Sequence, residues 1–404
     1  MSSPIATPAT AADASAPVPP GAKVEASAKL LSPQFIEANM NFGWNLLKQT
    51  AKGNDGNVFL SPANVSIALA MTANGAKGDT FSAMSQLVAS PNATLDQLNA
   101  DYAALQTLLK RSDDKVSVSL ANALWAKQGV PFDAAFLGRA RDTFGARVSE
   151  LDFNSADAPG TINQWVRDST NNKIDGIIDH IDPAMVLLLT SAIHFKGAWA
   201  TPFDKASTVD MPFNLSGGKQ QQTPMMLRVG KMRYLKTEVG QAVQLPYAGD
   251  ALRMVVLLPD ESVGADAALD KLNAQQWRTW QGAFTVKQGT LYLPRFKAES
   301  DLSLNDALSQ LGMGIAFDAQ KADFSGMRPV PPQLVITGVR HKSFVDVNEE
   351  GTEAAAATSV GVGVTSARPI DETFDMNVNR PFIIAIEDAA TGALLFAGVI
   401  RQPK

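Results

Sequence analysis

The chain has no cysteine among its 404 residues. This absence excludes disulfide bonds, thiolate metal sites and a cysteine nucleophile, although it does not identify a cellular compartment. Histidine is scarce too: there are three, His180, His194 and His341, and no two have the spacing of a zinc-binding helix. A segment from Asp346 begins like a calcium loop, but its twelfth position is Ala357 rather than glutamate. We therefore expect no metal and no cofactor.

Motifs of common enzyme classes are absent as well. The sequence contains neither a G-x-S-x-G motif nor a phosphate-binding loop. Adjacent carboxylates such as Glu349 and Glu350 face opposite ways in an extended chain, so they are poor candidates for acid–base catalysis. His194 and His341 lie in apolar segments, where a hydrogen-bonded core histidine is the commoner outcome. From the residues alone, we expect a protein that is not an enzyme.

Long apolar runs and strong charge are also missing. No run approaches 18 apolar residues, so we expect no membrane span. The net charge of −5 predicts no nucleic-acid partner. Residues 80–111 carry only Lys110 and Arg111 as basic groups, so we expect no activation by a polyanion. With 45% apolar residues, the chain can nevertheless bury a sizeable core.

The first 31 residues differ in composition from the rest. They are rich in alanine, proline and serine and contain no aromatic residue, which predicts a disordered leader. They lack the basic and apolar regions of a signal peptide. Such a leader is typical of a spacer behind a removed export signal, so we expect an extracellular or periplasmic location, with the cytoplasm as the alternative. The leader and the lack of cysteine suggest a prokaryotic source.

Helical periodicity predominates in the first half of the chain and strand periodicity in the second, without a βαβ rhythm, which predicts an α+β fold. Helices are predicted near residues 32–51, 66–74, 94–108, 159–178, 269–280 and 302–311. Strands are predicted near residues 58–60, 115–125, 185–195, 242–247, 252–258, 290–296, 339–347, 382–387 and 393–400.

One stretch near the C-terminus has the period of a strand without the residues that would hold a strand in a core. Between residues 349 and 369, the even positions from Thr352 to Val364 are small or β-branched and uncharged. This alternation is typical of a strand with one buried face. Gly361 and Gly363 weaken it as a permanent core strand. We interpret it as a segment that can be exposed loop or inserted strand, with a flexible linker as the alternative.

Several segments, taken together and in order, resemble the serpin family from about residue 32 to Pro403. Each motif alone would be weak, but all of them in the family's order are highly specific. They are NVFLSPANVSIALAM (57–71), TSAIHFKGAWATPF (190–203), LPY (245–247), MVVLLP (254–259), LPRF (293–296), HKSFVDVNEEGTEAAAAT (341–358), NRPF (379–382) and FAGVIRQP (396–403).

The resemblance implies a single domain over residues 32–404 with a large central β-sheet, two smaller sheets and about nine helices. An exposed reactive-centre loop would lie at about residues 349–375. In serpins, a target serine protease attacks this loop as a substrate and forms a covalent acyl-enzyme. The cleaved loop then inserts into the central sheet as a new strand, and the tethered protease is distorted before deacylation. The implied molecule is a monomer that can form loop–sheet polymers.

The resemblance also assigns a hinge at the start of this loop. Gly351 would give the hinge its backbone freedom, and the even positions that enter the sheet first must be small and uncharged. Glu353 would point to the surface. The resemblance further implies an ion pair between Glu349 and Arg295 at the base of the loop. The hinge comprises Glu349, Gly351, Thr352, Glu353, Ala354, Ala355, Ala356, Ala357 and Thr358.

Five further residues match the region where the central sheet opens. Many serpins have serine where this chain has Asn64, which would alter the local hydrogen bonding. Trp199 matches a tryptophan at the end of the sheet where insertion begins. Plain packing is the alternative role for all five, which are Ser61, Asn64, Ser191, Trp199 and His341.

Family spacing places the reactive bond sixteen residues after Glu349, between Thr365 and Ser366. The neighbouring bonds 364–365 and 366–367 are alternatives. A small β-branched residue at this position suits an elastase-like or subtilisin-like protease. Arg368 would suit trypsin, but Pro369 follows it, and bonds between arginine and proline are poor substrates.

The functional prediction is a suicide-substrate inhibitor of serine proteases. The alternative is a non-inhibitory serpin that acts as a chaperone, carrier or storage protein. The hinge discriminates between the two, because the inhibitory mechanism needs the small residues that this chain has between Thr352 and Thr358.

Overall fold

The computed structural model describes residues 31–112, 115–182, 185–329, 331, 334–353 and 373–404. The predicted leader up to residue 30 and the loop positions from Ala354 to Glu372 lie outside the described residues. The latter include the predicted hinge residues from Ala354 to Thr358 and the predicted reactive bond between Thr365 and Ser366.

The described part of the chain contains nine α-helices, most of them in its first half. The first begins after Ser32, whose side chain accepts a hydrogen bond from the Phe35 amide. Thr94 and Gln97 form a capping box before the fourth. The helices are α1 (Pro33–Ala51), α2 (Pro62–Ala73), α3 (Gly78–Val88), α4 (Leu95–Leu109), α5 (Ala134–Asp142), α6 (Ala158–Ser169), α7 (Gly264–Lys271), α8 (Ala274–Ala283) and α9 (Asn305–Leu308).

Three predicted helices have different bounds in the structure. The helix predicted over residues 159–178 ends at Ser169, and Asn171 and Asn172 then adopt positive φ angles, which a helix cannot contain. The region predicted as one helix over 269–280 is divided between α7 and α8, because Asn273 caps a new helix. The helix predicted from residue 302 begins at Asn305, since strand pairing continues through Ser303.

Seven strands form the predicted central sheet. They are β2 (Arg111–Ser112), β3 (Val116–Lys127), β4 (Arg147–Leu151), β5 (Leu187–Ala198), β11 (Phe296–Ser303), β12 (Arg340–Asn348) and β13 (Gly351–Thr352). Their order is β11-β12-β13-β5-β3-β2, and β4 pairs with β3. Within the described ranges, no ladder joins β5 directly to β12, and the two-residue strand β13 connects them at one end.

Nine strands form a second sheet. They are β1 (Val58–Leu60), β6 (Val209–Asn214), β7 (Gln220–Lys236), β8 (Gly240–Pro246), β9 (Leu252–Pro259), β10 (Thr285–Pro294), β14 (Phe374–Asn377), β15 (Phe382–Asp388) and β16 (Leu394–Ile400). The order is β1-β16-β15-β9-β8-β7-β10-β14, with β6 on β7. The two smaller sheets of the prediction are thus continuous, because the 17-residue strand β7 pairs with β6, β8 and β10.

A single large apolar core joins the two sheets and the helices, and a smaller cluster lies beneath α6. Helix α2 is buried along its whole length. Its alanines, Ala63, Ala68, Ala70 and Ala73, let neighbouring backbone approach closely. This buried helix carries two of the predicted sheet-opening positions, Ser61 at its N-cap and Asn64 in its first turn.

Candidate functional site at the hinge

Strand β13 lies between β12 and β5, where the chain leaves the described part of the central sheet. Thr352 is opposite Val347 of β12 and Gly197 of β5, and Gly351 is opposite Ala198. Gly351 has a φ of 155°, and a Cβ at this position would lie 2.1 Å from the Gly197 carbonyl oxygen. Only glycine fits here, because any Cβ would clash with the backbone of β5.

Thr352 points into the core and forms a hydrogen bond there. It is 1% exposed, and its hydroxyl oxygen lies 2.8 Å from the hydroxyl of Tyr247. Tyr247 stacks on Trp199, with ring centroids 4.7 Å apart. Burial raises the pKa of Tyr247, so this hydroxyl stays protonated and can donate to Thr352. Thr352, the first inward position of the predicted hinge, therefore has room for a small, uncharged side chain that forms a hydrogen bond.

Trp199 donates two hydrogen bonds to the turn between β12 and β13. Its indole Nε1 donates to the Asn348 carbonyl at 2.9 Å, and its backbone amide donates to the Glu350 carbonyl at 2.9 Å. The ring is 2% exposed. Trp199 thus lies at the end of the sheet where β13 pairs with β12 and β5.

Glu349 is held by two side chains from the other sheet and its margin. Arg295 Nη2 donates to Glu349 Oε1 at 2.6 Å, and Thr208 Oγ1 donates to the same oxygen at 2.7 Å. Glu349 is 1% exposed. Burial alone would raise its pKa, but the hydrogen bonds from Thr208 and Arg295 outweigh burial and lower the pKa below its ordinary value. The carboxylate is therefore ionised at neutral pH.

Glu353 corrects one prediction. Its side chain lies on the face of the sheet opposite Thr352, although the positive φ of Glu353 takes it out of the extended conformation. That face is not open to solvent at this point, because the chain after α6 covers it. The Glu353 side chain is consequently only 5% exposed and contacts His194 of β5. The sequence identified the face correctly and its burial wrongly.

Three of the predicted sheet-opening residues lie close together where β5 and β12 pack on the N-terminus of α2. His341 of β12 accepts a hydrogen bond at Nε2 from the Ser61 amide at 3.0 Å, and the Ser61 hydroxyl donates to the Leu395 carbonyl at 2.6 Å. Ser191 of β5 lines the same small cavity as His341. Burial lowers the pKa of His341 to about 4, so the imidazole is neutral at pH 7.

Asn64 is buried beside these three residues, but only its backbone takes part in their hydrogen bonds. The Ser191 hydroxyl bonds to Asn122 Oδ1 at 2.8 Å and more weakly to the Asn64 backbone carbonyl at 3.4 Å. Both polar atoms of the Asn64 side chain are buried without a hydrogen-bond partner in the described structure. The side chain of Asn64 therefore makes no hydrogen bond with the described residues, whereas its backbone carbonyl accepts from Ser191.

Several residues of the site were not found by sequence reasoning. Tyr247 belongs to the quoted LPY motif, so a signal existed, but the motif does not indicate its partner Thr352. Thr208 and Asn122 carry no local signal, because each matters only through a neighbour far away in the chain. His194 is expected to be a hydrogen-bonded core histidine, but the sequence does not indicate its partner Glu353. Arg295 was found through the resemblance, since 54 residues separate it from Glu349.

Comparison with known proteins connects this geometry to a family. The family model described as "Serpin (serine protease inhibitor)" matches residues 37–403. Serpin B6 of Macaca fascicularis is 34% identical over 380 residues, which are 91% of this chain and 99% of that protein. The human leukocyte elastase inhibitor is 34% identical over 386 residues, 92% of this chain and all of that protein.

A solved structure has the same architecture. The native state of Tengpin, described as a thermophilic serpin, superposes with a TM-score of 0.85 at 30% identity. The match covers 92% of this chain and 95% of Tengpin. The match therefore extends over most of both chains.

Proposed function

This chain belongs to the serpin family, and we propose that it inhibits a serine protease as a suicide substrate. The protease would cleave the loop, and the N-terminal half of the loop would insert between β12 and β5 while the protease is still bound as an acyl-enzyme. The chain contributes a substrate-like loop and a sheet that can open, rather than a catalytic group. The proposed state is a monomer whose only covalent partner is the protease.

The observation that carries this proposal is the position of β13. Gly351 and Thr352 already occupy the space of one strand between β12 and β5, and the loop continues directly from this strand. A cleaved loop could extend it, because β12 and β5 form no ladder with each other in the described part of the sheet. The next inward positions by sequence are Ala354 and Ala356, whose small side chains would enter at little cost.

We infer that the reactive bond lies between Thr365 and Ser366 and that the target is elastase-like or subtilisin-like. The name of the human leukocyte elastase inhibitor, which aligns over its full length, supports an elastase-type target. Incubation with pancreatic elastase or subtilisin should release a C-terminal peptide that begins at Ser366. Mass spectrometry of that peptide identifies the bond, and a first residue other than 365–367 would contradict the assignment.

Two measurements test the inhibitory mechanism itself. The protein should form a complex with elastase or subtilisin that survives SDS, at a stoichiometry near one. Cleavage of the loop by a protease that is not trapped should raise the melting temperature strongly, because insertion releases stored free energy. Cleavage without such a rise would favour the non-inhibitory alternative, in which the protein acts as a carrier, chaperone or storage protein.

We propose an extracellular or periplasmic location, on the basis of the Ala- and Pro-rich residues 1–31. No helix in the described ranges is long and apolar enough to cross a membrane. Fractionation of the producing cells would test the location, and recovery in the cytoplasmic fraction alone would contradict it.

A further inference from the structure

Glu353 is the last described residue before the loop, and its carboxylate is buried against a histidine. Glu353 Oε2 lies 2.5 Å from His194 Nε2, and the two side chains are 5% and 6% exposed. The Glu353 backbone has a φ of 54°, in the left-handed region. A non-glycine residue adopts this conformation only when its surroundings hold it there.

Three parts of the structure meet at this carboxylate. His194 belongs to β5, and the Glu353 amide donates to the Asp346 carbonyl of β12 at 2.9 Å. The chain after α6 covers the pair: Asn171 Nδ2 lies 3.3 Å from His194 Nδ1, and Lys173 Nζ lies 3.7 Å from Glu353 Oε2. Glu353 thus contacts β5, β12 and the chain after α6. In the proposed mechanism, β5 and β12 are the two strands that must move apart.

The chemistry of His194 and Glu353 determines which of them donates the hydrogen bond. A carboxylate oxygen can only accept, so in this contact His194 Nε2 is the donor and Glu353 Oε2 the acceptor. The second carboxylate oxygen of Glu353 is buried and has no hydrogen-bond partner in the described structure. His194 therefore supplies the one short polar contact to a desolvated carboxylate, with Lys173 farther away.

We propose that His194 is a positioning residue that holds the hinge at Glu353 and thereby delays insertion of the intact loop. A strand that continues beyond Thr352 requires Glu353 to adopt an extended conformation with negative φ. This rotation must move the carboxylate away from its present place against His194. The contact therefore stabilises the state in which only Gly351 and Thr352 are inserted, relative to the state in which the inserted strand extends beyond Thr352. The inference rests on the proposed function, since it assumes that the loop can insert.

A positional role suits this pair better than a contribution to overall stability. Desolvation of both groups offsets most of the attraction in a buried pair, so such pairs are weak sources of stability. Loss of one partner, in contrast, leaves the other buried and unpaired. The single variants should therefore also lower the stability of the folded protein, and the double variant, which leaves no unpaired partner, is needed to isolate the effect of the contact on the hinge.

The test measures the rate at which the intact full chain converts to the loop-inserted form on mild heating. His194→Phe keeps the ring shape and removes the donor, and should accelerate conversion at least about tenfold, as expected for one hydrogen bond to a charged group. His194→Gln places an amide nitrogen near the position of Nε2 and should restore the rate to within about threefold of the wild-type rate. Glu353→Ala should accelerate conversion like His194→Phe.

The double variant His194→Phe/Glu353→Ala provides the decisive comparison. It should convert no faster than either single variant, because both remove the same contact. His180→Phe is the matched control, since His180 is exposed and should leave the rate unchanged. Additive effects in the double variant, or an unchanged rate in both single variants, would overturn the role of His194. Wild-type protein whose melting temperature does not rise after loop cleavage would overturn the proposed function, and the positioning role with it.

Discussion

Arg295 and Glu349 form an ion pair 2.6 Å long that joins the base of the loop to the second sheet. Arg295 lies between β10 and β11 and is 47% exposed at its side chain, whereas the Glu349 side chain is 1% exposed. The Glu349 backbone carbonyl also accepts a hydrogen bond from the Phe203 amide at 2.8 Å. The pair therefore holds the backbone at Glu349, immediately before the hinge.

Reversal of the charge at Glu349 should remove the ion pair with Arg295. We predict that Glu349→Lys lowers native stability by about 2 kcal/mol, less than for a fully buried pair because Arg295 is half exposed. The variant should form loop–sheet polymers and the latent form faster, as followed on native gels. Asp260→Lys, which reverses an exposed pair with Lys236, is the matched control and should have little effect. Unchanged polymerisation and latency rates in Glu349→Lys would contradict the prediction.

A charge at the first inward hinge position should convert the inhibitor into a substrate. Thr352 is already buried between β12 and β5, so Thr352→Arg would place a guanidinium group where the strand must pass for the loop to insert, at a cost of several kcal/mol. The variant should be cleaved by elastase or subtilisin at a normal rate without forming an SDS-stable complex. Thr352→Ser, which keeps the small size and the hydroxyl, should retain complex formation. A Thr352→Arg protein that still traps protease at the wild-type stoichiometry would refute the insertion mechanism.

Some features of the hinge could be predicted from the sequence and others could not. A side-chain period of two predicts opposite faces for Thr352 and Glu353 in a continuous strand, but it does not predict that the strand ends at Thr352 and that Glu353 has a positive φ. The sequence could not reveal that Asn171 and Lys173 cover one of those faces, since this depends on where the chain after α6 lies. The Glu349–Arg295 contact was accessible only through the resemblance. Local patterns predict which way a side chain points, whereas burial depends on parts of the chain that are remote in sequence.

The hydrogen bond between Tyr247 and Thr352 should show energetic coupling. We predict that Tyr247→Phe and Thr352→Val each cost about 1–2 kcal/mol, because each leaves a buried hydroxyl without its partner. The double variant should cost clearly less than the two effects combined, since it removes both hydroxyls. Thermal unfolding of the four proteins measures the coupling. Simple additivity would mean that the contact contributes nothing to holding the hinge.

His341 should make the native state sensitive to mild acid. Burial lowers its pKa from 6.5 to about 4 in the folded protein, so the unfolded chain takes up a proton in this range before the folded chain does. The stability that neutral His341 provides is therefore complete above pH 6.5 and declines as the pH falls towards 4. At about 1.4 kcal/mol per pH unit, the loss can reach about 3 kcal/mol.

The expected consequence is easier separation of β12 from α2, because a protonated Nε2 can no longer accept from the Ser61 amide. Loop–sheet polymerisation should accelerate between pH 6.5 and 4.5, above the range in which Glu349, with its lowered pKa, begins to protonate. His341→Gln cannot titrate and should show a flatter pH dependence of both stability and polymerisation, whatever its stability at pH 7. The same slope in this variant as in the wild-type protein would assign the acid sensitivity to other groups.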